Sequence, residues 1–333
     1  MSYHDALNYL AQKTSVIELY NQWGGRAVVC PEWNGRILTS TCDGLDGNSF
    51  GFVNVQAIDT EQFENLGGED QWTVSPLLHS FTVESVKENK AVLFRSLSMT
   101  DANGVPVDIH LSRSIFLLSR QKIGIWFGNA VADALEQEYV SAVGFRAENT
   151  VRVQQKAHIA SRQRGMFNAS PHTTVLVSMV PEGFTPEPIP VEIDYLGRSP
   201  HGRIRHLPQT LLIRGDGQGR CQVTMPFSFT PPIFGAVELR GGVLTLWTFD
   251  MPNGHKEDIV RIYNSGRVHG GESDWATYYE MNSFSSAREL LPEHSLTYCQ
   301  CTLHISADNG VLDDIIRQIF NVSLEAIKSR FCD

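Results

Sequence analysis

The sequence predicts an all-β protein, a large antiparallel sandwich with short terminal helices. Three observations lead there. Runs rich in β-branched and aromatic residues recur along most of the chain. Turn signals punctuate them: Gly24-Gly25, Asn34-Gly35, Asp43-Gly44 and Ala102-Asn103-Gly104. One-sided helical periodicity is confined to the two ends.

In chain order, Ala6, Leu7, Tyr9, Leu10 and Ala11 give the segment Tyr3 to Gln12 a helical apolar face. From Ser15 the period changes to that of short strands. Strand-like runs follow at Phe81–Glu88, Lys90–Ser98, Val107–Leu118, Ile123–Asn129, Val140–Ala147 and Thr173–Val180. A proline-rich stretch, Pro181 to Pro190, interrupts the pattern. It resumes at Thr210–Arg214, Cys221–Pro226, Gly235–Glu238 and Val243–Phe249. Two further runs are Glu257–Gly266, ending in the turn signal Asn264-Ser265-Gly266, and Thr277–Asn282. Thr297–Ile305 closes the β pattern, and Val311–Ser329 reads as one helix with Leu312, Ile315, Ile316, Ile319 and Phe320 as its stripe. Two β domains meeting at the proline-rich stretch are the alternative to a single domain spanning residues 1–333, which is the expectation here.

Composition bounds the function. The net charge of −10 argues against sequence-independent nucleic-acid binding, which needs a basic face. No apolar run is long enough to span a bilayer, so no membrane partner is expected. The first residues lack a basic region followed by an apolar one, so the expected location is the cytoplasm, or a secreted form already trimmed. The six cysteines show neither a CxxC pair nor zinc-type spacing, and no histidine pair has helical ligand spacing. Phosphate-binding loops, dinucleotide glycine patterns and nucleophile elbows are missing too. No metal and no cofactor are expected.

Three stretches stand out chemically. In Thr277–Asn282, period two places Tyr278 and Glu280 on one face. A carboxylate in a strand is costly to bury unless it is paired or has a task, so Glu280 is either a structural acceptor or a working group. Neighbouring strands would bring Tyr263 and Asn264 near it. In Asn65–Trp72, two glycines precede Glu69, Asp70 and Trp72. An aromatic face beside carboxylates suits a sugar, with a turn of solvated acids as the plain alternative. In Gly197–His206, Arg198, Arg203 and Arg205 with His201 and His206 form a basic cluster. It could receive an anionic group at the rim of the same pocket, or be a solvated loop.

The blocks GGRAVVCPEWNGRILTSTCDG, LGGEDQW, FRAENTVR, EDIVRIYNSG and YYEMNSFSSA, running from residue 24 to 287, together resemble an uncharacterised bacterial family of galactose-mutarotase-like proteins. That family lies within the wider aldose 1-epimerase group. The resemblance implies a supersandwich of large antiparallel sheets and a monosaccharide or sugar derivative as ligand. It implies a late-strand Glu as general base, a position matched by Glu280. The mid-chain Asn-His motif that carries the acid in true mutarotases is replaced here by ENTVRVQQKAHIA. The candidates for the acid are therefore His158, His172 and His79. The expected function is anomer interconversion by a Glu base and a His acid. Glu69, Asp70, Trp72, Arg203, Tyr263 and Asn264 would hold the sugar. The rival is a non-catalytic carbohydrate-binding protein that uses the same cleft. Glu280 is expected to share a pocket with Glu69 or Asp70 and at least one histidine.

Overall fold

The computed structural model describes residues 2–58, 63–74, 80–179, 191–194, 202–250, 257–265 and 277–331. Among them, two large antiparallel sheets dominate. The first has six strands in the order Glu192–Asp194, Cys221–Pro226, Ile259–Asn264, Tyr278–Phe284, Arg162–Asn168 and Gln71–Thr73. The second has ten, running from Ile204–His206 through Thr173–Ser178, Val243–Phe249 and Ser295–Ser306 to Pro106–Leu117 and Thr82–Lys87. A three-stranded sheet of residues 17–41 and a two-stranded one complete the β structure. The predicted all-β class and large antiparallel sheets are what the chain adopts. Both large sheets recruit strands from each side of the proline-rich stretch, which itself lies outside the described residues.

Alternation explains why the sheets stack. In Ile259–Asn264, Val260 and Ile262 face inward. In Tyr278–Phe284, Tyr279 and Met281 do the same. They join Val223, Met225, Val175, Phe234 and Trp247 in one buried cluster between the sheets. The intervening residues of those strands therefore point away from the core, on the outer face of the six-stranded sheet.

The far side of the ten-stranded sheet is covered by helices. Leu312, Ile315, Ile316 and Phe320 pack on Leu176, Val237, Leu244 and Leu303. Here the sequence reading needs two corrections. The single helix expected over Val311–Ser329 is two, Asn309–Phe320 and Leu324–Phe331. Asn321 separates them at φ 53°, a left-handed conformation that Asn tolerates and that ends a helix. The strand expected at Ile123–Asn129 is instead helical. Arg120–Phe127 is capped by Ser119, whose hydroxyl accepts from the Lys122 amide, and Asn129–Leu135 follows. Ile123, Phe127, Val131 and Leu135 supply its buried face at helical spacing. A short apolar run such as IGIWF fits either period, and the cap decides.

No helix among the described residues is long and apolar enough to cross a membrane.

Candidate functional site

The site is built on the two most central strands of the six-stranded sheet. Tyr278–Phe284 lies between Ile259–Asn264 and Arg162–Asn168. Register sets Tyr263 opposite Glu280 and Arg261 opposite Asn282 on one side. On the other side Arg164 lies opposite Asn282, and Arg162 opposite Phe284. Beyond Arg164 comes Gln71. These residues all share the outer face.

Glu280 is the acid at the centre, and it is only 6% exposed. A carboxylate so placed needs donors, and it has them. Arg164 Nη1 lies 3.5 Å from Oε1, and Arg162 Nη2 lies 3.5 Å from Oε2. Asn282 Nδ2 donates to Oε2 at 3.1 Å. Arg164 is itself fixed by Gln71, whose Oε1 accepts from Nε at 2.8 Å and from Nη2. Arg162 Nη2 also donates to Asn282 Oδ1 at 2.9 Å.

Aromatic groups surround this polar centre. Tyr278 stacks on Phe52 at 4.6 Å and lies 6.0 Å from the Tyr263 ring. Burial first, and the Glu280 charge second, push the Tyr278 phenol far above its usual range, so it keeps its proton at any physiological pH. Tyr263 Oη accepts from Arg220 Nε at 3.0 Å. Charge-bearing donors, a carboxylate and two phenols thus meet on one outward face. Such a set suits a polyhydroxylated ligand with apolar C–H patches.

Of the expected site residues, the structure brings Glu280 and Tyr263 together. The others stand elsewhere. Glu69 and Asp70 turn into the interior of the sandwich, not toward Glu280. Glu69 Oε2 meets His304 Nε2 at 2.6 Å and Ser40 Oγ at 2.9 Å, and Asp70 pairs with fully buried Arg113. The paired glycines serve a tight backbone passage: Gly67 has φ 95°, and a Cβ there would meet the Phe52 carbonyl at 2.0 Å. Trp72 is one residue from Gln71, so it faces inward. Its Nε1 donates to Ser161 Oγ at 2.8 Å within the core.

Asn264 likewise points inward and holds a turn, accepting from the Gly217 amide at 3.1 Å and donating to the Gly219 carbonyl at 2.8 Å. Arg203 is ion-paired with Asp216. Arg205 donates from Nε to the Arg330 carbonyl at 3.2 Å, so the described part of the basic loop serves the C-terminal helix. His158 sits in a two-stranded sheet with Asn103, Asp101 and Glu289 for neighbours. His172 lines a separate cavity of about 450 Å³ with Arg214, Arg240, Lys328 and Phe331. His79, His201, Arg198 and Gly266 lie outside the described residues.

Arg162, Arg164, Arg261, Gln71, Asn282 and Phe284 were missing from the sequence reading. The available signal was the i, i+2 pair Arg162 and Arg164 with Met166 and Asn168, a two-residue period hidden by polar side chains.

Comparison with known proteins defines the class first. A candidate aldose 1-epimerase of Escherichia coli K12 superposes with a TM-score of 0.56 at 10% identity, over 88% of this chain and 99% of its own. A galactose mutarotase-like protein of Clostridium acetobutylicum gives 0.50 at 11%, over 89% and 100%. A galactose mutarotase related enzyme of Lactobacillus acidophilus gives 0.50 at 9%, over 88% and 97%. At these identities the likeness is one of fold, and the fold is the galactose mutarotase-like sandwich. The model of a family of unknown function, DUF6786, matches residues 1–83 and 70–331, and the chain belongs to that family. No curated protein matches the chain.

Proposed function

We propose that the outer face of the six-stranded sheet binds a monosaccharide or sugar derivative and interconverts its anomers. The observation that carries this is Glu280: a carboxylate oriented from two sides by arginines and an asparagine, beside two tyrosines, on the sheet's outward face. In this reading Glu280 takes the proton of the anomeric hydroxyl. Tyr278 or Tyr263 gives a proton to the ring oxygen, the C1–O5 bond opens, and rotation about C1–C2 exposes the other face of the aldehyde. The roles then reverse, and no proton is gained or lost overall. Arg164 and Gln71 position the base. The aromatic rings cover the C–H side of the sugar.

A second reading is binding without turnover. It is favoured by the engagement of both Glu280 oxygens by donors of the protein.

Anomer exchange followed by NMR saturation transfer separates them. Glu280→Gln should keep the fold and slow exchange by roughly two to four orders of magnitude. A wild-type chain that binds sugar and never accelerates exchange supports the second reading. Unchanged exchange in Glu280→Gln would overturn the assignment of the base.

A further inference from the structure

Among the described residues, three guanidinium groups and one carboxylate meet on the Glu280 face. Arg162 and Arg164 reach Glu280. Arg261 lies one strand away, and its Nε donates to the neutral Thr224 Oγ1 at 3.2 Å. Its guanidinium carbon stands 5.0 Å from the centre of the Phe284 ring. The guanidinium carbon of Arg162 stands 5.0 Å from the centre of that same ring. One aromatic side chain therefore carries two cations from the strands on either side of it. The ring face attracts each cation, and the two like charges oppose each other.

Arg220 adds a further cation beyond Tyr263. Among the described residues, neither Arg220 nor Arg261 is paired with a carboxylate. The other acids of this sheet, Glu192 and Asp194, sit on the edge strand opposite Thr224 and Gln222. All this occurs in a chain of net charge −10, where a locally cationic face needs its own reason.

We propose that this face selects a sugar carrying an anionic group, a carboxylate or a phosphate, bound by Arg261 and Arg162 above Phe284. The inference rests on the reading that the Glu280 face is the carbohydrate site, and it names the substrate class of that site. Planar guanidinium forks match either oxyanion with paired hydrogen bonds. The anion would replace the repulsion between the two arginines with attraction to both. From there the sugar ring extends past Asn282 over Glu280 and Tyr263, the cross-strand pair that follows Arg261 and Asn282 on the outward face. The basic cluster near Arg203 has no part in this, since its described arginines are spent on Asp216 and the C-terminal helix.

Calorimetry on the full chain tests it without requiring turnover. The probes are glucose, galactose, glucuronate, galacturonate and glucose 6-phosphate, at low and moderate salt. At least one anionic sugar should bind tenfold or more tightly than its neutral parent, and salt should weaken that preference. Glucuronate against glucose 6-phosphate tells carboxylate from phosphate. Arg261→Met should bring anionic and neutral sugars to near-equal affinity, with Arg261→Lys intermediate because it keeps the charge and loses the fork. A melting temperature within a few degrees of wild type would show that the Arg261→Met chain is folded. If that variant fails to fold, Arg261→Lys carries the test. Equal or weaker binding of anionic sugars by the wild type overturns this inference and leaves the carbohydrate reading standing. So does an anion preference that survives Arg261→Met. If no sugar of either kind binds, both fall. An anion preference with anomer exchange unaffected by Glu280→Gln keeps this inference and removes Glu280 as the base.

Discussion

Two buried acid clusters lie on opposite sides of one sheet, and their likeness is superficial. On the outside, Glu280 meets two arginines at 3.5 Å and an asparagine, with tyrosines and Phe284 around it. On the inside, Asp70 pairs with Arg113, and Glu69 with His304 and Ser40. Sequence alone placed the inner acids in the pocket of Glu280, because Trp72 adjoins them. The comparison teaches that direction decides. Asp70 and Arg113 are both wholly buried, walled by Asn149 and the Asp70 carbonyl. His304 is closed in by the Phe50 ring at 4.3 Å and bonded through Nδ1 to Thr245 at 2.9 Å. Glu69, Asp70, Arg113 and His304 are each at most 1% exposed. The outer cluster has similar elements on the other face of the sheet.

The contrast can be broken by paired substitutions. The largest expected effect is on turnover: Glu280→Gln loses roughly two to four orders of magnitude of anomer exchange while its melting curve stays close to wild type. Next comes Arg113→Met, which leaves Asp70 buried without its partner. It should cost about 3–5 kcal/mol of stability, read by denaturant unfolding. If Arg113→Met melts like wild type, the inner cluster is not the structural pair described here.

Limited proteolysis at 181–190 sharpens the comparison from another side. We propose that residues 1–333 act as one domain, because strands from both sides of that stretch pair with each other within each large sheet. Cleavage should therefore leave the two pieces associated. Release of separately folded halves would defeat the proposal.

The smallest effect concerns Asp101, the acid beside His158. Its carboxylate accepts from the backbone amides of Val105, His158 and Asn103, which hold its pKa below the ordinary value. A depressed acid stabilises the fold fully above its unfolded pKa, and this is lost as pH falls through the folded one. Asp101→Asn should thus lower the melting temperature modestly at neutral pH. The gap to wild type should close as pH drops below about 3.8. A gap that does not change with pH would show that the charge on Asp101 contributes nothing.

The all-β class was legible because alternation and turn pairs report directly on backbone preference. Thr210–Arg214, Cys221–Pro226 and Val243–Phe249 fall where the sequence puts them. Polar strands were not legible. Arg162–Asn168 carries too few apolar residues to look like a strand, yet it pairs on both sides within its sheet, because Gly165 and Phe167 pack inward while its arginines face out. Nor could alternation say which parity of Gln71 and Trp72 would face the core. That choice is made by partners distant in sequence. Glu280 was legible as an odd residue in its strand, and its arginines were not.

One consequence of the strand Arg162–Asn168 concerns how the protein is made. Arg164 bonds Gln71, 93 positions before it, and Glu280, 116 positions after it. No contiguous third of the chain holds this cluster. Closing such distant contacts comes with a large entropy loss before any reward, which slows folding of β proteins. A ribosome must release nearly the whole chain before Arg164 can find both neighbours. Recovery of sugar binding during refolding should therefore trail the recovery of β structure, and a chain with a fully formed Glu280 face is one in which the six-stranded sheet has already formed.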